Sequence, residues 1–400
     1  MTRVVSLPLP EAMGRDLLEL LPADAMTFVR GGQGLVGWGE AKRISAKGER
    51  RIQDLASAWK TFVSELEVVD SVALPGSGPV AFGTIAFADD SKAESVLVMP
   101  RVVIGRRDDR FWITAVDDAK LPAATVWVKN PPIQLNPGSL GRDAFSELVD
   151  RAVAMIKGND LQKVVLARDL VGSVPSGFDL RSALGRLATR FPSCWIYSVD
   201  GMFGASPELL VRVSHSQVSA RVLAGTAARG TDPSVDQAIS KALAESHKNL
   251  AEHEFAVRSL VSALEPFCDH VDADTEPFSL ALPNLWHLAS DVHGVLKQNS
   301  SVLDLASALH PTAAVAGTPR SAAQKLISEL EPFDRGRYAG PVGWIGADGD
   351  GEWVIALRGA QLAEGKVTAY AGCGIVSESD GESELLETDL KFQPIISALA

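Results

Sequence analysis

Pro341-Val-Gly-Trp-Ile-Gly-Ala-Asp-Gly-Asp-Gly-Glu-Trp-Val-Ile-Ala-Leu357 reads as two apolar runs, 342–345 and 353–357, joined by a turn of glycine and aspartate. A third run, 368–372, follows another glycine-containing turn. Short β-forming runs parted by such turns predict antiparallel hairpins. Upstream, apolar periodicity predicts helices over Arg142–Lys157 and Leu180–Arg190 and strands near 162–171, Trp195–Val199 and 209–213. One long helix is expected from the cap Asp232-Pro233 to about residue 264, where Glu265-Pro266 stops it. Helices combined with antiparallel sheet give an α+β fold.

The first 130 residues hold apolar runs at 26–30, 80–87 and 96–104 and a helix-like stretch at 52–66, a sheet-rich half. Lys129-Asn-Pro-Pro-Ile-Gln-Leu-Asn-Pro-Gly-Ser-Leu-Gly141 holds three prolines and two glycines and is the best boundary in the chain. The expected organisation is 1–130, a connection at 131–141, and a catalytic region at 142–400.

Of the 400 residues, 46% are hydrophobic and 22% charged, an ordinary globular balance. No apolar run is long enough for a membrane span, and the N-terminus lacks the apolar core of a signal peptide. Cys194, Cys268 and Cys373 form no CxxC pair, and their odd number argues against a disulfide framework. The expected compartment is the cytoplasm. A net charge of −12 opposes nucleic-acid binding.

Three familiar patterns fail. Gly32-Gln-Gly-Leu-Val-Gly37 has the letters of a dinucleotide loop, but Trp38-Gly-Glu40 follows it and no helix opens, so a hairpin is expected. His247 and His253 are six apart and do not share a helix face, which argues against zinc. No GxSxG elbow is present.

Other residues carry chemistry. Glu384 and Glu387 stand three apart in the last helix, about 60° from each other, and Lys391 lies about 20° from Glu384; Leu386 and Leu390 point the opposite way. Glu252 stands far upstream, on a polar stripe with Glu245 and Asn249. Such carboxylates are either solvated helix faces or ligands of a hard cation, and Mg²⁺ takes one or two of them with water and an anionic substrate. Lys163, amid β-formers, is either an edge-strand lysine or a general base with a depressed pKa. Glu208, at the mouth of a strand, is either an ion-paired turn residue or a carboxyl kept protonated as a general acid. Arg358, an isolated charge in an apolar strand, can clamp a carboxylate, and Gly372-Cys-Gly374 permits close backbone approach to an anion. His287 reads by default as a partly buried, satisfied histidine.

Taken together, the segments Lys163-Val-Val-Leu-Ala-Arg168, Gly204-Ala-Ser-Pro-Glu-Leu-Leu210, Leu223-Ala-Gly-Thr-Ala-Ala-Arg-Gly230, Ala251-Glu-His-Glu254, Leu309-His-Pro-Thr-Ala-Ala-Val-Ala-Gly-Thr-Pro319, Arg337-Tyr-Ala-Gly-Pro-Val-Gly-Trp344 and Ala371-Gly-Cys-Gly-Ile-Val376 resemble the chorismate-utilising enzymes. This family includes isochorismate, salicylate, anthranilate and aminodeoxychorismate synthases. The resemblance runs from Arg142 to the C-terminus and is loose over residues 1–130.

It implies a single large unit of two face-packed, largely antiparallel sheets with helices outside, the anthranilate synthase component I-like fold. It also implies Mg²⁺ held by Glu252 and Glu387, with Glu384 acting through water and Asn249, where relatives carry an acid, able to hold a metal-bound water. Arg358, Lys391 and the Gly372–Gly374 backbone would bind substrate carboxylates, and Gly225, Thr226 and His287 would surround the ring. Ammonia-using members carry Gln at the position of Lys163, and these and salicylate synthases tend to carry Thr at that of Ala314; both positions point to isochorismate synthase. In that reading Lys163 is the base toward water and Glu208 the acid toward the C4 hydroxyl. The resemblance leans toward a monomer acting on chorismate with no glutaminase subunit. A salicylate synthase, an ammonia-using synthase and a non-catalytic chorismate-binding relative remain the alternatives.

Overall fold

The computed structural model describes every residue except Met1, Met13, Gly14, 122–124, Asn159, Asp160 and 282–284, with only the backbone described for Glu11, Thr226, Ala228, Lys248 and Leu285. The chain has the expected α+β class, with two largely antiparallel sheets and helices. It forms two compact units. One comprises Met1–Glu208, His310–Ala347 and Val354–Ala400, the other Leu209–Leu309 and Asp348–Trp353.

The first unit contains a sheet of thirteen strands among the described residues. Lys163–Ser173 and Lys366–Ile375 pair antiparallel along ten residue pairs, and Gly359–Ala363, Met202–Ser206, Trp195–Val199 and Met26–Arg30 follow in order. Met26–Arg30 and Gln33–Trp38 form the hairpin expected of the glycine-rich segment; Gly31 and Gly32 have φ of 56° and 75°, values glycine adopts without strain.

Helices Arg142–Lys157, Leu180–Arg190 and Gly381–Leu399 belong to this unit. In the first, Phe145, Leu148, Val149, Ala152, Val153 and Ile156 recur at helical spacing and are buried. Asp179 caps the second by accepting from the Arg181 N–H. Ala183, Leu184 and Leu187 of that helix and Phe392, Ile395 and Leu399 of the C-terminal helix join Val29, Ile196, Phe203 and Ala369 in one apolar core. The proline-rich connection is pinned down. Asn130 exchanges hydrogen bonds with the Asp179 backbone at 2.7 and 2.9 Å, and the Ile133 N–H donates to Leu399 O at 2.9 Å.

In the second unit Gln217–Ala228 and Leu285–Leu296 form a long antiparallel pair flanked by Leu209–Ser214, Cys268–Ala273 and Phe278–Ala281. The long helix expected from residue 233 to about 264 is two helices, Pro233–Glu245 and His247–Leu264. Ser246 between them is extended, with ψ 108°, and its hydroxyl accepts from the Asn249 N–H as the cap of the second. Glu245 therefore does not share a helical stripe with Asn249 and Glu252.

Candidate active site

Lys163 lies between Gly317–Thr318 on one side and Lys366–Ile375 on the other, so it is no edge-strand lysine. Its stem crosses Gly374, where an added Cβ would stand 2.6 Å from Lys163 Cε. A side chain at this point of the neighbouring strand would push the flexible end of the lysine aside.

Glu208 is held by its own backbone. Its N–H donates to Ser206 Oγ at 3.2 Å, Ser206 Oγ donates to Ile355 O at 2.6 Å, and the Ile355 N–H donates to Glu208 O at 3.1 Å. Burial raises the Glu208 carboxyl above the ordinary carboxylate range, against the opposing charges of Lys163, Arg358 and Lys391. These four groups thus share one electrostatic neighbourhood, in which burial biases the acid toward its neutral form.

Arg358 is not inside a strand. Gly351–Ile355 ends before it, Gly359–Ala363 begins after it, and Arg358 occupies the break at φ 47°. The break arises because the chain changes partners: Ile355 bonds to Glu208, whereas Gly359 opens the pairing with Gly204. Tyr197 Oη donates to Leu357 O at 3.0 Å and the Ala205 N–H to Arg358 O at 3.2 Å, which holds the left-handed residue in place. Burial lowers the Arg358 guanidinium pKa, with Tyr338, Glu387, Cys194 and Glu208 opposing.

The C-terminal helix carries its charges toward the sheet. Lys391 Nζ donates to Gly372 O at 2.8 Å and meets Glu387 Oε1 at 2.5 Å, and Glu384 accepts from Ser379 Oγ at 2.7 Å. Leu386 and Leu390, on the other side, are 55% and 58% exposed. A helix that turns leucines to solvent and partly buries its acids is not presenting a plain solvated acidic face. Burial and the neighbouring Glu384 push the Cys373 thiol far up, so it stays protonated and is no nucleophile.

Ala314 sits in the turn where the Val315 and Ala316 N–H groups donate to Thr312 O at 3.2 and 3.0 Å. Arg335 fastens this turn to the Lys163 strand by donating to Val315 O at 2.8 Å and Val165 O at 2.7 Å. It is paired with Glu331 at 2.5 Å, and Glu331 also accepts from the Ala167 N–H at 2.7 Å. Beside them burial pushes the Tyr338 phenol up to about 12. Neither Arg335 nor Glu331 was legible as a site residue, because each acts through backbone atoms of distant strands.

In the second unit Gly225 has φ 79° at a bulge between Ala224 and Thr226, and an added Cβ there would stand 3.2 Å from Asn249 Cβ. His287 pairs opposite Thr226, whose side chain lies outside the described residues. Glu252 is exposed on the helix His247–Leu264, and the Asn249 amide donates to Ser246 Oγ at 2.9 Å. His253, considered in the sequence only for zinc, is buried between Ala224 O at 3.0 Å and Ser290 Oγ at 2.9 Å, and burial lowers its pKa.

Among the described residues no three His, Cys, Asp or Glu side chains form a ready metal cage. Glu387 and Glu384 nevertheless supply hard oxygen donors, which fits an ion that keeps several waters and shares its shell with an anionic substrate. It does not fit a closed site of the structural zinc type.

The chain matches the family model for chorismate binding enzymes over residues 26–121 and 121–400. It is 37% identical over 263 residues to the isochorismate synthase DhbC of Bacillus subtilis, an alignment covering 63% of this chain and 66% of that one. It is 31% identical over 397 residues to the salicylate biosynthesis isochorismate synthase of Pseudomonas aeruginosa, covering 91% of this chain and 82% of that protein. The solved structure of MenF, the menaquinone-specific isochorismate synthase of Escherichia coli, superposes with a TM-score of 0.79 at 24% identity, covering 100% of this chain and 94% of that one. The chain belongs to the chorismate-binding enzymes.

Proposed function

We propose that this chain is an isochorismate synthase, converting chorismate to isochorismate by attack of water at C2 with loss of the C4 hydroxyl. The observation that carries the reading is Glu208: a carboxyl raised by burial although Lys163, Arg358 and Lys391 surround it. An acid that burial biases toward its protonated form and an amine in one neighbourhood suit a reaction that takes a proton from one oxygen and gives one to another.

In this mechanism the Lys163 amine accepts a proton from water, whose oxygen bonds to C2. The double bonds shift, the C4–oxygen bond breaks, and Glu208 protonates the departing oxygen, which leaves as water. One water enters and one leaves, so the reaction is an isomerisation, and a return of the proton from Lys163 to Glu208 resets the enzyme. Arg358, Lys391 and the Gly372–Gly374 backbone are proposed to hold substrate carboxylates; Gly225, Thr226 and His287 are proposed for the ring, and Ala314 for the member-specific position.

Mg²⁺ is the proposed cofactor, and it would neutralise and orient the ring carboxylate. Its proposed donors are Glu252 and Glu387, with Glu384 and Asn249 acting through water. The proposed form is a cytoplasmic monomer needing no ammonia-delivering partner; among the described residues no helix is long and apolar enough to cross a membrane.

The test is incubation of the purified protein with chorismate and Mg²⁺ in the absence of ammonia, followed by product chromatography. Isochorismate is the expected product. Salicylate with pyruvate, or anthranilate formed only with ammonia, would reassign the chain within its family, and bound but unconverted chorismate would make it a binding protein.

A further inference from the structure

His253 is 2% exposed, on the helix His247–Leu264, and neither partner of its ring lies on that helix. Nδ1 is 3.0 Å from Ala224 O, in the strand Gln217–Ala228. A carbonyl oxygen carries no proton, so Nδ1 is the donor. Nε2 is 2.9 Å from Ser290 Oγ, in the strand Leu285–Leu296. With the ring neutral and its proton on Nδ1, Nε2 accepts and the Ser290 hydroxyl donates.

The position of these bonds matters more than their number. Ala224 is the last residue before the bulge, where the register with the partner strand slips and Gly225 turns to φ 79°. A bulge interrupts the ladder and leaves local backbone groups in need of other partners. The imidazole supplies a donor there. One turn earlier on the same helix face Asn249 presses on Gly225: a Cβ added at 225 would meet Asn249 Cβ at 3.2 Å and Asn249 O at 3.4 Å. Asn249 and His253, four residues apart, therefore fix both the rotation and the height of the helix over the bulge. Glu252 lies on the same turn and makes no side-chain hydrogen bond or ion pair among the described residues.

We propose that His253 is a positioning residue, whose imidazole bridges the bulge at Ala224 to Ser290 and thereby sets where the Glu252 carboxylate stands relative to the Gly225–Thr226 backbone. The inference deepens the proposed function and rests on its assignment of Glu252 to Mg²⁺. His253 itself touches neither substrate nor metal in this account.

The experiment compares wild type with His253→Phe, which keeps the ring volume and removes both bonds, His253→Asn, which keeps a donor near the Nδ1 position, and Ser290→Ala. Mg²⁺ binding is measured calorimetrically on the metal-free protein, and thermal unfolding is recorded in parallel. The expected result is Mg²⁺ affinity weakened about tenfold in His253→Phe, with a smaller loss in Ser290→Ala and substantial recovery in His253→Asn. Should His253→Phe not fold, Ser290→Ala and His253→Asn carry the comparison. Wild-type affinity in every folded variant overturns the inference. Wild-type protein that takes up no Mg²⁺ overturns the metal reading instead, and the ring-nitrogen NMR spectrum then decides: a proton on Nδ1 supports the bridge, and one on Nε2 refutes it.

Discussion

Lys163 and Gly374 are packed so closely that a methyl group at residue 374 would stand 2.6 Å from the lysine Cε. Gly374→Ala is therefore expected to displace the amine without removing it. Displacement of about 1 Å costs on the order of 100-fold in turnover, and steady-state isochorismate formation measures it. Activity close to wild type would mean that the position of Lys163 is unimportant.

Removing either proposed proton carrier is a sharper test. Lys163→Gln and Glu208→Gln should each lower kcat by about 10²- to 10⁴-fold. Far-ultraviolet circular dichroism should be unchanged. Either variant turning over normally would remove that residue from the mechanism.

The raised Glu208 carboxyl also has a signature in stability. The folded state holds this proton more tightly than the unfolded chain does, so the stabilisation is full below the ordinary carboxylate range and is lost as pH rises through the raised value. Glu208→Gln stays neutral throughout. Its melting temperature should match wild type near about pH 4 and exceed it increasingly toward neutrality. A gap that closes as pH rises would contradict the assignment.

Arg335 and Glu331 have side chains only 3% and 1% exposed. Arg335→Met leaves Glu331 buried without its partner and should cost about 3–5 kcal/mol in urea unfolding. Adding Glu331→Leu should recover much of that loss. If the double variant is no more stable than the single, the loss lies in the backbone bonds to Val165 and Val315 and not in the stranded charge.

Glu387 tests the metal assignment. Chelation should abolish turnover and Mg²⁺ should restore it, and Glu387→Gln should raise the Mg²⁺ needed for half-saturation by about tenfold or more. An unaltered requirement would place the ion elsewhere.

The parts of the fold legible in the sequence are those specified by neighbours in the chain. The helices Arg142–Lys157 and Leu180–Arg190 and the strand Trp195–Val199 have the bounds their periodicity gives. Ser246 was not legible as a break, because serine is only mildly unfavourable in a helix and good helix formers flank it. Arg358 was misplaced because the end of its strand depends on Glu208 and Ala205, some 150 residues earlier. Of the residues singled out from the sequence itself, Lys163, Glu208, Arg358, Glu384, Glu387 and Lys391 fall within the first unit and Asn249, Glu252 and His287 within the second, which also holds Gly225 and Thr226, named only by family resemblance. His253 escaped functional notice because its partners are 29 and 37 residues away.

Arg358 at φ 47° sets folding and activity against each other at a single position. A side chain in the left-handed region costs about 1 kcal/mol or more, whereas glycine rests there without strain. A library screened for heat resistance alone would therefore enrich glycine at 358, and the same clones should rank among the poorest in turnover. An arginine at this point of the chain is the residue that selection for robustness would remove and selection for chemistry would keep.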